Sequence, residues 1–200
     1  AGSTAGGVEV VDDPQAATHI LFLEIGDYRP RGLWFRNPIG KHPLVLRYPE
    51  KCYIWSYEDH PFTYLPGLYV SMPREFFDPR LHRAFRYFHT NAERFPVPPE
   101  RERDLLYNFV GGATSPIRRK VFDLPSRPDA LVQEKLTYNA VRWADDEAVL
   151  GYIELLSRSK FTLCPAGSGT SSYRLFEALR AGSVPVIVSD SLVLPEGPDW

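Results

Sequence analysis

The sequence predicts an α/β fold of parallel sheets covered on both faces by helices. Three observations predict it. Short apolar runs of strand length recur along the chain: "THILFLEI", "KCYIWSY", "GLYVSMP", "LLYNFVGG", "KFTLCP" and "VPVIV". Segments with helix-start signals or helical apolar spacing stand between several of them. Glycine- and serine-rich turns follow two of the runs, at "GGATS" and "GSGTSS". Strands alternating with helices build parallel sheets, and ligands then sit beyond the carboxyl ends of the strands.

Taken in order, "THILFLEI" reads as a buried strand ending near Gly26 and Asp27. "KCYIWSY" is the next, followed by Glu58, Asp59, His60 and Pro61, and "GLYVSMP" is a third. "DPRLHRAFRYFHT" carries a helix-start signal, with Asp78 as cap and Pro79 at the first position. The proline-rich, charged stretch 95–104, "FPVPPERERD", reads as a lobe boundary. It separates an amino-terminal lobe, 8–98, from a carboxyl-terminal lobe, 104–200. "LLYNFVGG" opens the second lobe as a strand. "SPIRRKVFDL" follows as a helix capped by Ser115, with Pro116 behind the cap. Residues 145–158 place Ala148, Tyr152, Leu155 and Leu156 at helical spacing. Residues 160–190 then supply strand, loop, helix and strand. There is no internal repeat.

Composition narrows the function classes. The 200 residues suffice for one compact domain or two small lobes. The formal net charge is -2, whereas a protein that neutralises many phosphates of a duplex shows a strong positive balance. Nucleic acid is therefore not an expected partner. Cys52 and Cys164 are far apart and match no zinc or C-x-x-C spacing, and His19, His42, His60, His82 and His89 form no ligand pair. No structural metal is expected, and both cysteines read as small buried hydrophobes. No run reaches the roughly 20 apolar residues of a membrane span, and "AGSTAGG" lacks a signal-peptide profile.

The chemistry concentrates in "GSGTSSYRLFEAL". Gly167 and Gly169 let the backbone turn tightly and approach a ligand. The free N–H groups and positive dipole end of the next helix face the same space, and Ser168, Thr170, Ser171 and Ser172 add hydroxyls. Such a turn suits a phosphate or diphosphate. Arg174 sharpens the reading. A cation in the first helical turn is disfavoured by a few tenths to about 1 kcal/mol, and Arg174 before Glu177 reverses the favourable acid-before-base order. An anion gripped by the guanidinium would offset that cost. "NFVGGATSPIRRK" repeats the arrangement with Arg118, Arg119 and Lys120, of which Arg118 is the candidate for the same cleft.

"SKFTLCPAGSGTSSYRLFEALRAGSVPVIVSD" resembles the nucleotide-sugar signature of exostosin-like glycosyltransferases. "NFVGGATSPIRRKVFDL" is similar to a second segment of that family, and "RYPEKCYIWSYEDHPFTYLPGLYVSMPREFFDPRLHR" more loosely to its amino-terminal lobe. The resemblance implies an α/β fold of two Rossmann-like lobes of GT-B type. Against that pattern the chain looks truncated at both ends. It implies transfer of a sugar with inversion from a nucleotide-diphosphate sugar, a UDP-sugar, to a hydroxyl of a glycan or glycoconjugate, with no essential metal. By motif position, Arg118 and Arg174 would meet the diphosphate, Ser168, Gly169, Thr170 and Ser171 would line it, and Glu177 would hold the ribose. The expected location is cytoplasmic, or the Golgi lumen if the chain is a piece of a tethered enzyme.

An inverting transfer also needs a base for the acceptor hydroxyl. Asp59 is the preferred candidate, then Glu58, with His60 possible because its pKa lies near neutrality. Asp27 and Asp190 rank lower, and Asp190 is alternatively a contact for donor-sugar hydroxyls. Trp34, Phe35, Trp55, Tyr57, Phe62 and Tyr64 are candidates for an acceptor platform or for core packing. Two rival readings remain. One is a non-catalytic nucleotide-sugar or glycan-binding module. The other is a dinucleotide-dependent oxidoreductase, weakened because Ser172 stands where the third glycine of G-x-G-x-x-G belongs.

Overall fold

The computed structural model describes residues 4–5, 7–24, 39–61, 63–87, 101–135, 146–197 and 200. A small antiparallel pair, β1 (Thr4–Ala5) and β2 (Val8–Glu9), precedes two parallel sheets. The first sheet contains β3 (Ile20–Glu24), β4 (Cys52–Ser56), β5 (Gly67–Tyr69) and β6 (His82–Ala84), in the order β3-β4-β5-β6. The short helix α1 (Pro43–Arg47) lies between β3 and β4. The second sheet contains β7 (Leu105–Gly111), β8 (Ala130–Glu134), β9 (Ser159–Pro165) and β10 (Val184–Val188), in the order β10-β9-β7-β8. Its crossovers carry α2 (Pro116–Phe122), α3 (Asp146–Arg158) and α4 (Tyr173–Arg180).

The first sheet is held by period-two burial. Cys52, Ile54 and Ser56 of β4 are buried, while Tyr53 and Trp55 between them are half-buried. Cys52 and Ile54 pack with Val45, Leu65, Tyr69, Met72 and Ala84. Each such aliphatic side chain contributes about 1.5–3 kcal/mol on burial. Among the described residues, through Tyr87, the helix expected from Asp78 does not form. The Asp78 carbonyl accepts from the N–H groups of Leu81 and His82, closing a single turn, and the chain then enters β6. His82 and Ala84 are buried and Arg83 between them is exposed. That alternation, paired parallel with β5, outweighs the local start signal.

In the second sheet the half of each βαβ unit that matters for a ligand is the strand end. β7 sits between β8 and β9, so the strand order reverses there. The crevice at the carboxyl ends of β7 and β9 is the switch point where α/β sheets take ligands. At the opposite end, Arg103 clasps two helix ends. Its Nη1 donates to the carbonyls of Leu156, Ser157 and Ser159 at 3.4, 2.9 and 2.8 Å, and its Nη2 to Ala181 at 3.2 Å. The Leu156, Ser157 and Ala181 carbonyls lie at the ends of α3 and α4, where carbonyls lack partners within the helix, and Ser159 opens β9. Gly182 follows α4 with φ +70°, and a Cβ there would come within 2.7 Å of Arg103 Nη2.

The two sheets are joined by main chain. Arg74 N–H donates to the Ser191 carbonyl at 2.7 Å and Val193 N–H to the Met72 carbonyl at 3.0 Å. The segment after β10 thus runs along the segment after β5.

Candidate functional site

Two guanidinium groups meet one aromatic ring at the switch point. α4 starts at the Ser172 cap, whose hydroxyl accepts from Arg174 N–H at 3.3 Å, so Arg174 falls in the first turn. Its side chain is only 9% exposed. Arg174 Nη2 donates to the Val110 carbonyl at 2.5 Å, and the guanidinium lies 4.6 Å from the centroid of Phe109. α2 starts at Ser115, whose hydroxyl accepts from Arg118 N–H and donates to the Ala166 carbonyl at 2.7 Å, linking the two strand-to-helix turns. Arg118 Nη1 donates to the Gly112 carbonyl at 3.3 Å, and its guanidinium carbon lies 5.8 Å from the centroid of the same ring. Cation–π attraction helps to hold both, at about 0.5–2 kcal/mol each. The glycines at the strand ends make room. A Cβ on Gly111 would lie 2.9 Å from Arg174 Nη2, and one on Gly167 2.7 Å from Arg118 Nη2. Neither helix has an acid in its first turn. Arg174 Nε is buried with no hydrogen-bond acceptor among the described residues. Two cations beside two positive helix ends are an arrangement chemically suited to a multivalent anion.

Glu177 lies one turn deeper on α4 and is also buried. Tyr152 Oη of α3 donates to Glu177 Oε2 at 2.9 Å. Burial pushes the Glu177 carboxyl above its ordinary range, opposed first by the Arg174 charge and then by the Tyr152 hydrogen bond. Burial and the Glu177 charge push the Tyr152 phenol well up, so it stays protonated and donates. Tyr152 also lines a cleft of about 410 Å³ between β8 and α3, with Val110, Leu131, Gln133, Lys135 and Leu155 among its walls.

The glycine–serine loop is engaged by the first sheet's side of the molecule. Ser71 is fully buried. Its Oγ accepts from Ser171 N–H at 3.2 Å and shares a 3.1 Å hydrogen bond with Thr170 Oγ1. Gly169 abuts the main chain of Asp59, and a Cβ there would stand 2.2 Å from the Asp59 carbonyl oxygen. Ser189 Oγ donates to the Thr170 carbonyl at 2.9 Å. Ser168 is exposed, as is Asp190 beyond β10. The structure therefore brings Arg118, Arg174 and Glu177 together at the strand ends. It gives Gly169, Thr170 and Ser171 contacts across to Asp59 and Ser71.

Asp59, the preferred candidate base, lies within electrostatic reach of Arg118. Burial raises its carboxyl, opposed by the charges of His60 and Arg118 and by the nearby Tyr87 hydroxyl. Glu58 is half-buried, with its N–H directed to Ser56 Oγ at 3.4 Å, and His60 is exposed. Asp27, Trp34, Phe35 and Phe62 lie outside the described residues. Trp55 and Tyr57 do cluster, with centroids 5.7 Å apart, and Tyr57 continues to Tyr87 at 6.1 Å and Tyr87 to Tyr173 at 3.9 Å. Tyr64 is exposed. Cys52 and Cys164 are free and buried, the latter pushed up to about 12 by its surroundings. Among the described residues no three His, Cys, Asp or Glu side chains are grouped to hold a metal, and no helix is long and apolar enough to cross a membrane.

Sequence reasoning missed Ser71, Tyr87 and the contact made by Tyr152. Ser71 and Tyr87 act across the lobes, and no local pattern marks such a contact. Tyr152 stood out only as a member of a helical stripe.

Residues 67–200 match the family model described as the Exostosin GT47 domain. The chain belongs to the exostosin GT47 family. The exostosin match begins at β5 and takes in Ser71, both arginines, Tyr152 and Glu177, whereas Asp59 precedes it. The α/β fold, with its two parallel four-stranded sheets, is that of Rossmann-like lobes of GT-B type. The chain is 51% identical over 128 residues to the Exostosin-1 homolog of Caenorhabditis elegans, covering 56% of this chain and 34% of that protein. It is 50% identical over 108 residues to a probable glucuronosyltransferase of Oryza sativa subsp. japonica, covering 50% of this chain and 24% of that protein. Ribitol-5-phosphate xylosyltransferase 1 of Mus musculus is 33% identical over 91 residues, covering 43% of this chain and 20% of its own length. The chain thus spans about a third or less of the length of these exostosin-like relatives.

Proposed function

We propose that this chain forms the nucleotide-sugar site of a glycosyltransferase, one that moves a sugar with inversion from a UDP-sugar to a hydroxyl of a glycan or glycoconjugate. The observation that carries the reading is the pair of guanidiniums, Arg118 and Arg174, against Phe109 at the carboxyl ends of β7 and β9. A diphosphate at that point meets both cations and the starts of α2 and α4. Arg174 Nε supplies a buried donor that no described residue satisfies. The charge that builds on the departing diphosphate in the transition state is stabilised there by groups already in place. Glu177 accepts from ribose hydroxyls, and the adjoining cleft between β8 and α3 offers the nucleoside a mixed wall, with Val110, Leu131 and Leu155 beside Gln133 and Lys135.

Inversion follows from a single displacement. The acceptor hydroxyl attacks the anomeric carbon opposite the leaving diphosphate while a base takes its proton. Asp59 is assigned that role because the Gly169 contact sets its main chain against the donor loop. Its raised carboxyl makes it a stronger base than an exposed aspartate. Glu58 is the alternative on the same turn. In this reading the arginines, not a metal, neutralise the diphosphate.

The test is thermal denaturation of the chain with UDP, UDP-sugars, other nucleoside diphosphates and NAD. UDP-selective stabilisation is expected, with affinity reduced about 10²-fold in Arg174→Ala by loss of charge-assisted hydrogen bonds. Stabilisation by NAD alone would overturn the reading. UDP binding without hydrolysis or transfer of any donor would support a binding module, a reading favoured by the Ser71 contacts that already occupy Thr170 and Ser171.

A further inference from the structure

We propose that Tyr152 is a positioning residue of this site. Its ring lines the β8–α3 cleft, and its hydroxyl fixes the buried Glu177 carboxylate behind it, as acceptor for the vicinal hydroxyls of a nucleoside. The inference rests on the donor-site reading above and adds to it a residue from a different element.

The geometry is specific. Glu177 is 7% exposed, and its neighbour on α4, Arg174, is directed to the Val110 carbonyl and the Phe109 ring. The hydroxyl that reaches the carboxylate comes from α3, at 2.9 Å. A carboxylate offers about four acceptor positions, so one phenol leaves capacity for a ligand. Packing alone would be met by phenylalanine at 152, and a buried hydroxyl costs free energy unless it is hydrogen-bonded. The tyrosine ring also lines the cleft, so the residue that orients the acid is exposed to whatever the cleft holds. Holding the acid in place before the ligand arrives lowers the ordering cost of binding.

The position also decides a pH dependence. Among the described residues the ionisable groups acting on Glu177 are Arg174 on its own helix and Tyr152 on α3, and the Cys164 thiol on β9 feels the Glu177 charge. Arg174 and Tyr152 favour the ionised acid, whereas burial disfavours it. Cys164 is neutral throughout the neutral range, its thiol being pushed up to about 12. Removing the Tyr152 hydroxyl therefore raises the pH at which Glu177 takes up a proton and stops accepting.

The experiment is calorimetric titration of the 200-residue chain with UDP from about pH 5 to about pH 8. Wild type is compared with Tyr152→Phe, Glu177→Gln, the double variant and Arg174→Ala. The expected result is about tenfold weaker binding in Tyr152→Phe near neutrality, with the acid-side loss of affinity displaced to higher pH. In the Glu177→Gln background the same change has little further effect, because its target has lost its charge. A merely structural role would weaken binding equally in both backgrounds and leave the pH profile in place, and that outcome overturns the proposal. UDP binding lost in Arg174→Ala but untouched in Tyr152→Phe overturns it alone. No UDP binding by the wild-type chain overturns the donor-site reading and this one with it. Should Tyr152→Phe not fold, fluorotyrosine at 152 keeps the shape and makes a stronger donor. It is expected to move the acid-side loss to lower pH, and an unmoved profile refutes the inference.

Discussion

The two sheets place their candidate functional groups in opposite ways. In the second sheet every connection carries an α-helix, and the arginines stand in the first turns of α2 and α4. In the first sheet the described parts of the connections from β4 to β5 and from β5 to β6 hold no α-helix, and Asp59 and Ser71 sit in turns. A helix start fixes a cation by backbone geometry that its own sequence specifies. A turn fixes an acid only when something packs on it, and here that something is the loop of the other sheet. The arginines are thus placed by the second sheet's own helix starts, whereas the turn that carries Asp59 is placed by contact with the opposite loop.

The sharpest way to break that contrast is at Asp59. Asp59→Asn is expected to lower transfer by about 10²–10⁴-fold and to leave UDP affinity near wild type, measured by initial rates beside calorimetry. Loss of UDP binding would mean that the first sheet contributes to the donor site as well. In wild type, transfer is expected to fall as pH drops through the raised Asp59 carboxyl, since the protonated acid cannot accept.

Arg103→Ala tests the second sheet's own scaffold. It removes a charged donor from four carbonyls at the ends of α3, β9 and α4. A loss of about 3 kcal/mol is expected in denaturant unfolding, and a loss below about 0.5 kcal/mol would show that water replaces the clasp.

Gly169→Ala attacks the joint. The new methyl would overlap the Asp59 carbonyl, so about 1–3 kcal/mol of stability is expected to be lost. Transfer should fall more than UDP affinity, which is the signature of a displaced base. Ser71→Ala removes only the hydroxyl that meets Thr170 and Ser171, with about 1 kcal/mol expected by thermal melts.

The smallest effect is the pH dependence of stability. Asp59 and Glu177 both have carboxyls raised by burial. The folded state then binds protons more tightly than the unfolded chain. The contribution of each to stability is full below the ordinary carboxylate range, about pH 4, and is lost as pH rises through the folded value. Melting temperatures should therefore decline from mildly acid to neutral pH, and the decline should flatten in an Asp59→Asn, Glu177→Gln variant.

Much of the second sheet was legible in the sequence. Ser115–Pro116 and Ser172 mark the helix starts, and the glycines before them mark the strand ends. Arg174 and Arg118 stood out because a cation opposes the helix dipole, and the structure places both at one ring. The first sheet was less legible. Asp78–Pro79 signals a helix, yet His82 and Ala84 alternate as a strand because β5 offers a paired edge. α1 has five residues, too few for a periodic signal, and the half-polar "ALVQE" of β8 looks like neither element strongly. Ser71, Tyr87 and the hydroxyl of Tyr152 act through long-range contacts, which composition and spacing do not encode.

The meeting of Gly169 with residue 59 is made by a carbonyl, an atom that every amino acid carries. Structural and chemical duties at this position thus fall on different atoms of one residue. The side chain at 59 can change without moving the surface on which the opposite loop rests. Substitutions there report on chemistry with the scaffold held constant, and a chain that exchanges this acid for another polar group retains its joint.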